Sequence, residues 1–370
     1  MTRLEAYLAL NLLPRIGPIR VQRLLAQFGE PERILSATLS ELKSVPGIGS
    51  EMAESIRDWE NQVDVVEEQR RMQEHGIGAI TVEDESYPPA LREIHDPPHL
   101  LYIKGEILER DRHAIAVVGS RRVSHYGREA ARRLSFQLAH AGVTVVSGLA
   151  RGIDTAAHEA ALAAGGRTIA VLGSGIGHLY PPENAALADK IAEHGAVLSE
   201  FPVLYVPDRQ SFPLRNRIVS GMSEGILVVE APARSGALIT ANQAMEQGRN
   251  VYAVPGPIDR PTSEGCNRLI QDGAKLVIDS RDVLDEMALL NPPQPRQSEL
   301  GLADPAEDSG PPLDAAERAV LEAIGDDELP IDTIIDQASL PSAVVSATLL
   351  KLEMKRRVKQ LPGKYFVKLG

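Results

Sequence analysis

The run Ala114-Ile115-Ala116-Val117-Val118-Gly119-Ser120-Arg121-Arg122-Val123-Ser124-His125-Tyr126-Gly127 decides the fold. Its first five residues are small or β-branched, apolar at every position and too few for a helix, which is the composition of a strand buried on both faces. A Gly-Ser turn ends the strand, and Tyr126 to Ala141 then carries helical spacing. The unit recurs downstream. Thr144-Val145-Val146, Thr168-Ile169-Ala170-Val171-Leu172, Ala196-Val197-Leu198, Ile226-Leu227-Val228-Val229, Val251-Tyr252-Ala253-Val254 and Lys275-Leu276-Val277-Ile278 are further apolar runs. Helical stretches from Asp154 to Ala164, Ala237 to Gln247 and Arg281 to Leu290 lie among them. Strand followed by helix, repeated this often, predicts an α/β fold with a parallel sheet covered on both faces.

Outward from this core, spanning residues 76–290, the chain reads as three more segments. Residues 1–75 are helical with Pro and Gly punctuation, and Leu42 to Ile56 has the form of a helix-hairpin-helix. Gly47 and Gly49 there permit a tight turn, and the free N–H groups of the next helix start are candidate phosphate contacts. The alternative is helix-to-helix packing without a ligand, since Glu51 and Glu54 stand where phosphate would approach. Leu13 to Arg20 resembles a weaker second copy. Residues 291–312 are rich in Pro, Gly, Ser and acidic side chains and read as a flexible linker. Residues 313–370 hold three helical segments, the first opened by the capping-box spacing Asp314 to Glu317, and then a hairpin around Pro362-Gly363, which is a winged-helix pattern.

Composition narrows the function. The 370 residues carry a formal net charge of -12, so general adhesion to a polyanion is excluded and any such site must be local. Two basic clusters exist: Arg121, Arg122, Arg128, Arg132 and Arg133, and the C-terminal set Lys351, Lys355, Arg356, Arg357, Lys359, Lys364 and Lys368. The single cysteine, Cys266, reads as a small buried side chain, consistent with a reducing compartment. With no secretory pattern at Met1 to Ala6 and no apolar run long enough to span a bilayer, the expectation is a cytoplasmic protein without a membrane partner.

In an open parallel sheet, ligands bind beyond the carboxyl ends of the strands, so the residues after each apolar run carry the chemistry. Gly119, Ser120 and Arg121 follow the first; Ser147, Gly148 and, further on, Arg151 and Asp154 follow the second. Small residues expose backbone amides and the arginines add permanent charge, together a slot suited to phosphodiester. Asp154 reads as the N-cap of the following helix, and His158 is given no role. Phe212-Pro213-Leu214-Arg215-Asn216-Arg217 opens another helix; residues two apart diverge by about 200°, so Arg215 and Arg217 cannot both face one phosphate. The glycines of Gly173-Ser174-Gly175-Ile176-Gly177 break dinucleotide-fingerprint spacing, and no Walker lysine follows a Gly-rich turn. No cofactor and no metal site is expected. With aromatics at 4% of the chain, base stacking is confined to positions such as Phe212, Tyr126 and Tyr180.

The ordered set Gly119-Ser120-Arg121, Ser147-Gly148-Leu149-Ala150-Arg151-Gly152-Ile153-Asp154, Tyr180-Pro181 with Asn184, Leu198-Ser199-Glu200, Phe212-Pro213 with Arg215-Asn216-Arg217, Glu230-Ala231 with Ser235-Gly236, and Val254-Pro255-Gly256 resembles the DNA-processing protein A family, also called DprA or Smf. The resemblance runs from about Ala79 to Leu290. It implies an extended Rossmann-like core that forms a homodimer, binds single-stranded DNA without catalysis, and helps load the RecA recombinase during natural transformation. It also implies that Gly119, Ser120 and Arg121 contact phosphate, with Ser147, Gly148, Arg215 and Asn216 lining the same pocket. Pro182 stands where many members look to carry a basic residue, with Arg151 or Lys190 as candidates to compensate. Two rival readings remain: a nucleotide-processing enzyme using Glu183, Glu200 or Glu230 as acid or base, and a protein adaptor that binds no DNA. The third helix of the winged-helix segment presents Ser342, Ala343, Ser346 and Ala347 near its leading end, with no fork to read a base, so protein contact there is as expected as duplex binding.

Overall fold

The structure is a computed structural model that describes residues 1–290, 315–324, 329–338, 340–354, 357–361 and 365–368. The chain divides into two compact units, Met1–Pro293 and Gln294–Gly370. The segment read as a linker lies outside the described residues, as do Asp314, Lys355, Arg356 and Pro362 to Lys364.

The first unit begins with seven helices: α1 (Arg3–Leu12), α2 (Pro18–Phe28), α3 (Pro31–Ser36), α4 (Leu39–Ser44), α5 (Ser50–Arg57), α6 (Trp59–Gln62) and α7 (Val65–His75). Thr2 with Glu5 and Thr38 with Glu41 form capping boxes that start α1 and α4. The helices turn Leu8, Leu24, Ile34, Leu42 and Ile56 inward, and this core continues without a break into Leu100, Tyr102, Leu172 and Val197 of the sheet. The buried carboxylate of Glu68 on α7 accepts the Val203 N–H at 2.7 Å. The boundary expected at residue 75 is therefore not a gap in packing.

Among the described residues, nine strands form the sheet in the order β1-β2-β6-β5-β4-β3-β7-β8-β9. They are β1 (Gly78–Thr81), β2 (Leu100–Gly105), β3 (Ala114–Val118), β4 (Thr144–Ser147), β5 (Thr168–Leu172), β6 (Ala196–Ser199), β7 (Gly225–Val228), β8 (Asn250–Ala253) and β9 (Lys275–Leu276). The strands from β3 to β9 are parallel. The expectation of a wholly parallel sheet is corrected at one edge, where β2 runs antiparallel to β6 and β1 antiparallel to β2. An antiparallel pair needs no crossover helix, so the strand-helix alternation that marks the core does not mark this edge.

Strand β3 shows why its five residues are all apolar. Ala114, Ala116 and Val118 enter one core and Ile115 and Val117 the opposite one, because side chains alternate along a strand. α9 (His125–His140) and α10 (Ile153–Ala163) cover the second face. α12 (Ser211–Gly221), α13 (Gly236–Glu246) and α14 (Glu264–Gln271) cover the first, preceded in the chain by short α8 (Pro89–Arg92) and by α11 (Ala185–His194). α15 (Arg281–Leu290) closes the unit. Cys266 is buried, and burial pushes its thiol up to about 12, as expected of a packing residue.

In the second unit, α16 (Ala315–Ile324), α17 (Ile331–Ala338) and α18 (Ser342–Met354) pack around Val320, Ile334, Val345 and Leu349. The strands β10 (Leu329–Pro330), β11 (Val358–Leu361) and β12 (Tyr365–Lys368) form an antiparallel sheet with β12 central.

One buried ion pair closes the amino-terminal rim of the large sheet. Arg167 grips Asp111 in a bidentate pair at 2.8 and 2.7 Å, and Asp111 also accepts Thr144 Oγ1 at 2.7 Å and the Leu108 N–H at 2.8 Å. Burial alone would raise the Asp111 pKa, but these donors outweigh it and hold it below the usual carboxylate range. Arg167→Met strands that carboxylate and should cost about 3–5 kcal/mol. A depressed folded pKa means the Asp111 contribution is present above the unfolded value near pH 4 and is lost as pH falls through the folded value. Urea unfolding followed by Trp59 fluorescence should thus show the gap between wild type and Asp111→Asn closing only in acid.

Candidate functional site

The chain leaves β3, steps outward through β4, β5 and β6, and returns to β7 on the other side of β3. The crevice at that reversal, beyond the carboxyl ends of β3 and β7, is an open cleft of about 700 Å³. Gly119 to Arg122 form one wall, Gly148 and Ala150 the floor, Arg209, Phe212 and Asn216 a second wall, and Arg234 to Gly236 the rim opposite.

The first wall is a tightly tied turn. Ser120 N–H donates to Glu230 O at 2.7 Å, and the Ser120 hydroxyl accepts from Arg122 N–H at 3.1 Å and donates to Arg122 O at 2.9 Å. This fixes the backbone while leaving Arg121 and Arg122 exposed. The Arg121 guanidinium lies 4.9 Å from the Phe212 ring centroid, and Tyr180 lies 5.9 Å from the same ring. Arg121, Arg122, Arg209 and Arg234 form no salt bridge among the described residues, although Arg121 lies close enough to the buried Asp154 to favour its charged form. Four exposed arginines set against the one carboxylate of the lining, Asp154, bias the cleft toward anions despite the acidic chain.

The floor rests on Arg215. Its side chain is 4% exposed; Nη1 donates to Gly148 O at 2.6 Å and to Val171 O, and Nε to Asn216 Oδ1 at 3.2 Å. Gly148 is glycine because a β-carbon would overlap that guanidinium. Asp154, also buried, accepts the N–H groups of Gly148 at 3.1 Å and Ala150 at 3.3 Å. It lies within the first turn of α10, whose N-cap is Gly152, so it braces the 148–150 turn and does not cap the helix. Burial raises the Asp154 pKa, opposed by Arg215, and burial likewise drives Arg215 down to about 10, opposed by Asp154. Arg215 thus remains cationic at neutral pH and acts chiefly as a positioning residue.

Several expected residues sit elsewhere. Arg217, 5% exposed, pairs with Glu200 at 2.6 Å and Asp96 at 3.0 Å, facing away from the cleft as the two-residue helical offset requires. Ser147 is fully buried and donates its hydroxyl to Val117 O at 2.6 Å, linking β4 to β3. Arg151 pairs with Glu183 beside a small recess shared with Arg121, Tyr180 and Phe212, so it borders the cleft with its charge already engaged. Pro182 begins a short turn in which Asn184 donates to Leu149 O at 2.8 Å. Tyr126 donates its hydroxyl to Pro255 O at 2.7 Å. Arg209 and Arg234 were not legible as site residues, since neither falls on a strand end or a periodic face; an arginine beside a Ser-Gly turn was the one signal available for Arg234.

Of the rival acid-base residues, Glu183 and Glu200 are held in ion pairs, and Glu230 is bonded through one oxygen while its buried Oε1 has no hydrogen-bond partner among the described residues. Glu183 holds Arg151, Glu200 holds Arg217, and buried Glu230 accepts from Ser124 N–H at 2.9 Å and its hydroxyl at 3.1 Å. His158 is buried against Thr168 at 2.7 Å, and burial drives it down to about 3. In the helix-hairpin-helix, Gly47 is left-handed at φ +88° whereas Gly49 is the N-cap of α5 at φ -83°. Arg20 donates to Gly47 O at 3.4 Å, Arg23 to Pro46 O at 3.1 Å, and Arg15 pairs with Glu51. The weaker copy and the helix that continues from it thus place Arg20 and Arg23 on the Pro46-Gly47 turn and Arg15 on the start of α5.

The family model for DNA recombination-mediator protein A matches residues 78–288, which contain this entire cleft. The chain belongs to that family. Its flanks match a helix-hairpin-helix motif at 8–67 and the DprA winged helix domain at 304–364. Protein Smf of Synechocystis is 35% identical over 97% of both chains, and Protein Smf of Escherichia coli 42% identical over 77% of this chain and 76% of that one. Among solved structures, DNA processing protein A of Streptococcus pneumoniae is 37% identical, with a TM-score of 0.68 over 77% of this chain and 98% of its own. The Helicobacter pylori protein, solved to describe its single-stranded DNA binding mode, is 28% identical with a TM-score of 0.52 over 58% and 96%.

The two kinds of cleft arginine separate experimentally. Arg215→Met removes the counter-charge of Asp154 and the partner of two carbonyls, and should cost about 3–5 kcal/mol in chemical unfolding. Arg121→Ala, at an exposed residue with no salt bridge among the described residues, should stay within about 1 kcal/mol of wild type, the worth of its contact with the Phe212 ring.

Proposed function

We propose that the cleft binds the backbone of single-stranded DNA, that Gly119, Ser120, Arg121, Gly148, Phe212 and Asn216 contact it, and that the protein acts on DNA in recombination without covalent chemistry. The observation that carries this reading is the set of four exposed arginines, none in a salt bridge among the described residues, that line one crevice beside Phe212. A duplex would present its bases inward, while a single strand can lay a base on the Phe212–Tyr180 pair and its phosphates on the guanidinium groups. The single-stranded DNA binding described for the Helicobacter pylori relative supports the same assignment. The ion pairs of Glu183 and Glu200 disfavour the enzyme reading at those two residues, and the exposed arginines around the cleft disfavour an adaptor indifferent to DNA.

The finer parts of the proposal rest on family membership. The protein delivers its strand to the RecA recombinase in transformation or recombination, works as a homodimer and resides in the cytoplasm. Among the described residues, no helix is long and apolar enough to cross a membrane.

Fluorescence anisotropy with labelled oligonucleotides across a salt series tests the cleft. Wild type should favour single strands over duplex, with log affinity falling linearly against log salt. Arg121→Ala should weaken binding to all base compositions alike and make that slope shallower by about 0.7. Phe212→Leu should lose about 1–3 kcal/mol with the slope unchanged, since stacking releases no counterion. Indistinguishable curves for wild type and Arg121→Ala would remove the assignment.

A further inference from the structure

A second groove, of about 620 Å³, opens across the rim of the cleft, between α13 and α14. The rim belongs to both cavities, because Arg234, Ser235, Gly236 and Ile239 line cleft and groove alike. Only the start of α13 separates them. On the groove side Arg268 of α14 is exposed and, like Arg234, has no carboxylate partner among the described residues. Leu238 and Ile239 supply an apolar wall, with Ile239 44% exposed, and Asp272 closes the far end.

We propose that this groove continues the strand path. The inference rests on the reading of the cleft as a single-stranded DNA site. A strand leaving the cleft crosses the rim with one phosphate on Arg234, sets the next on Arg268, and lays its base against Leu238 and Ile239. Two exposed cations, one on the shared rim and one beyond it, suit a ligand with regularly repeated negative charge better than an isolated anion. The wall lacks aromatic side chains, so the base adds little and the contact is mainly electrostatic. Asp272 opposes phosphate at the far end, which sets where the path stops or turns out to solvent.

The test uses the full chain and labelled thymidine oligonucleotides of about five and about twenty nucleotides, the span of known single-strand site sizes. Arg268→Ala should leave the short oligonucleotide within about twofold of wild type while weakening the long one roughly tenfold. For the long one the salt slope should also become shallower by about 0.7. Asp272→Asn should tighten the long oligonucleotide alone. Equal loss at both lengths, no loss at either, or a loss accompanied by a changed sedimentation mass would overturn the groove assignment, the last by marking a protein interface. Should wild type bind neither length, the cleft reading itself fails; should it bind both with Arg268→Ala unaffected, only the groove does.

Discussion

The cleft depends on one buried cation. Arg215 reaches under the turn after β4 and holds the carbonyls of Gly148 and Val171, which ties the ends of β4 and β5 to the start of α12. Its charge is tolerated there because Asp154 stands nearby and itself holds the N–H groups of the same turn. The floor is therefore a polar network whose parts constrain one another, and a network of this kind favours a single geometry because any half-satisfied arrangement is costly. Rigid walls matter for a polyanion site: guanidinium groups presented on a fixed frame lose less freedom when a strand arrives.

The chain uses arginine in two opposed ways. Arg167, Arg215 and Arg217 are buried and spend their donors on carboxylates or carbonyls inside the fold, where the planar fork satisfies two acceptors at once. Arg121, Arg122, Arg209 and Arg234 are exposed and spend none on carboxylates. A lysine could serve the second role as a point charge but not the first. This division reconciles a net charge of -12 with a positive crevice: the formal sum says how the molecule behaves at a distance, while the unpaired subset sets the local field.

How much of this the sequence disclosed follows from the same physics. The parallel strands were legible because burial on both faces demands unbroken apolar runs, as in Ala114 to Val118, and the cleft-lining turns were legible because they must follow those runs. Gly148 and Arg121 were found that way. The edge strands β1 and β2 were not, because β1 is half exposed and its pairing with β2 leaves no strand-helix rhythm. Residue type could not separate Arg215 from Arg217; helical geometry said they diverge, but which one faced the cleft required the positions of Glu200 and Asp96. Ser147 looked like a ligand donor and instead bonds its neighbouring strand, since a serine at a strand end serves either purpose. Arg209 and Arg234 sit on loops, where no periodicity marks direction.

The scarcity of aromatic residues bears on what kind of binder this geometry makes. Phe212 lies against both Tyr180 and Arg121, so the cleft offers one composite platform and no ladder of rings. A base can stack there whatever its identity, because every base has a π-face. On the proposed reading the guanidinium forks address phosphates, which are identical along a strand. Reading a base edge would require a fixed donor-acceptor pattern opposite the stacked base, and Asn216, the nearest amide side chain, already takes a hydrogen bond from Arg215 on its oxygen. On that reading, a cleft so built would hold a strand by its backbone with little regard for its sequence, which is the property needed to handle DNA whose sequence varies.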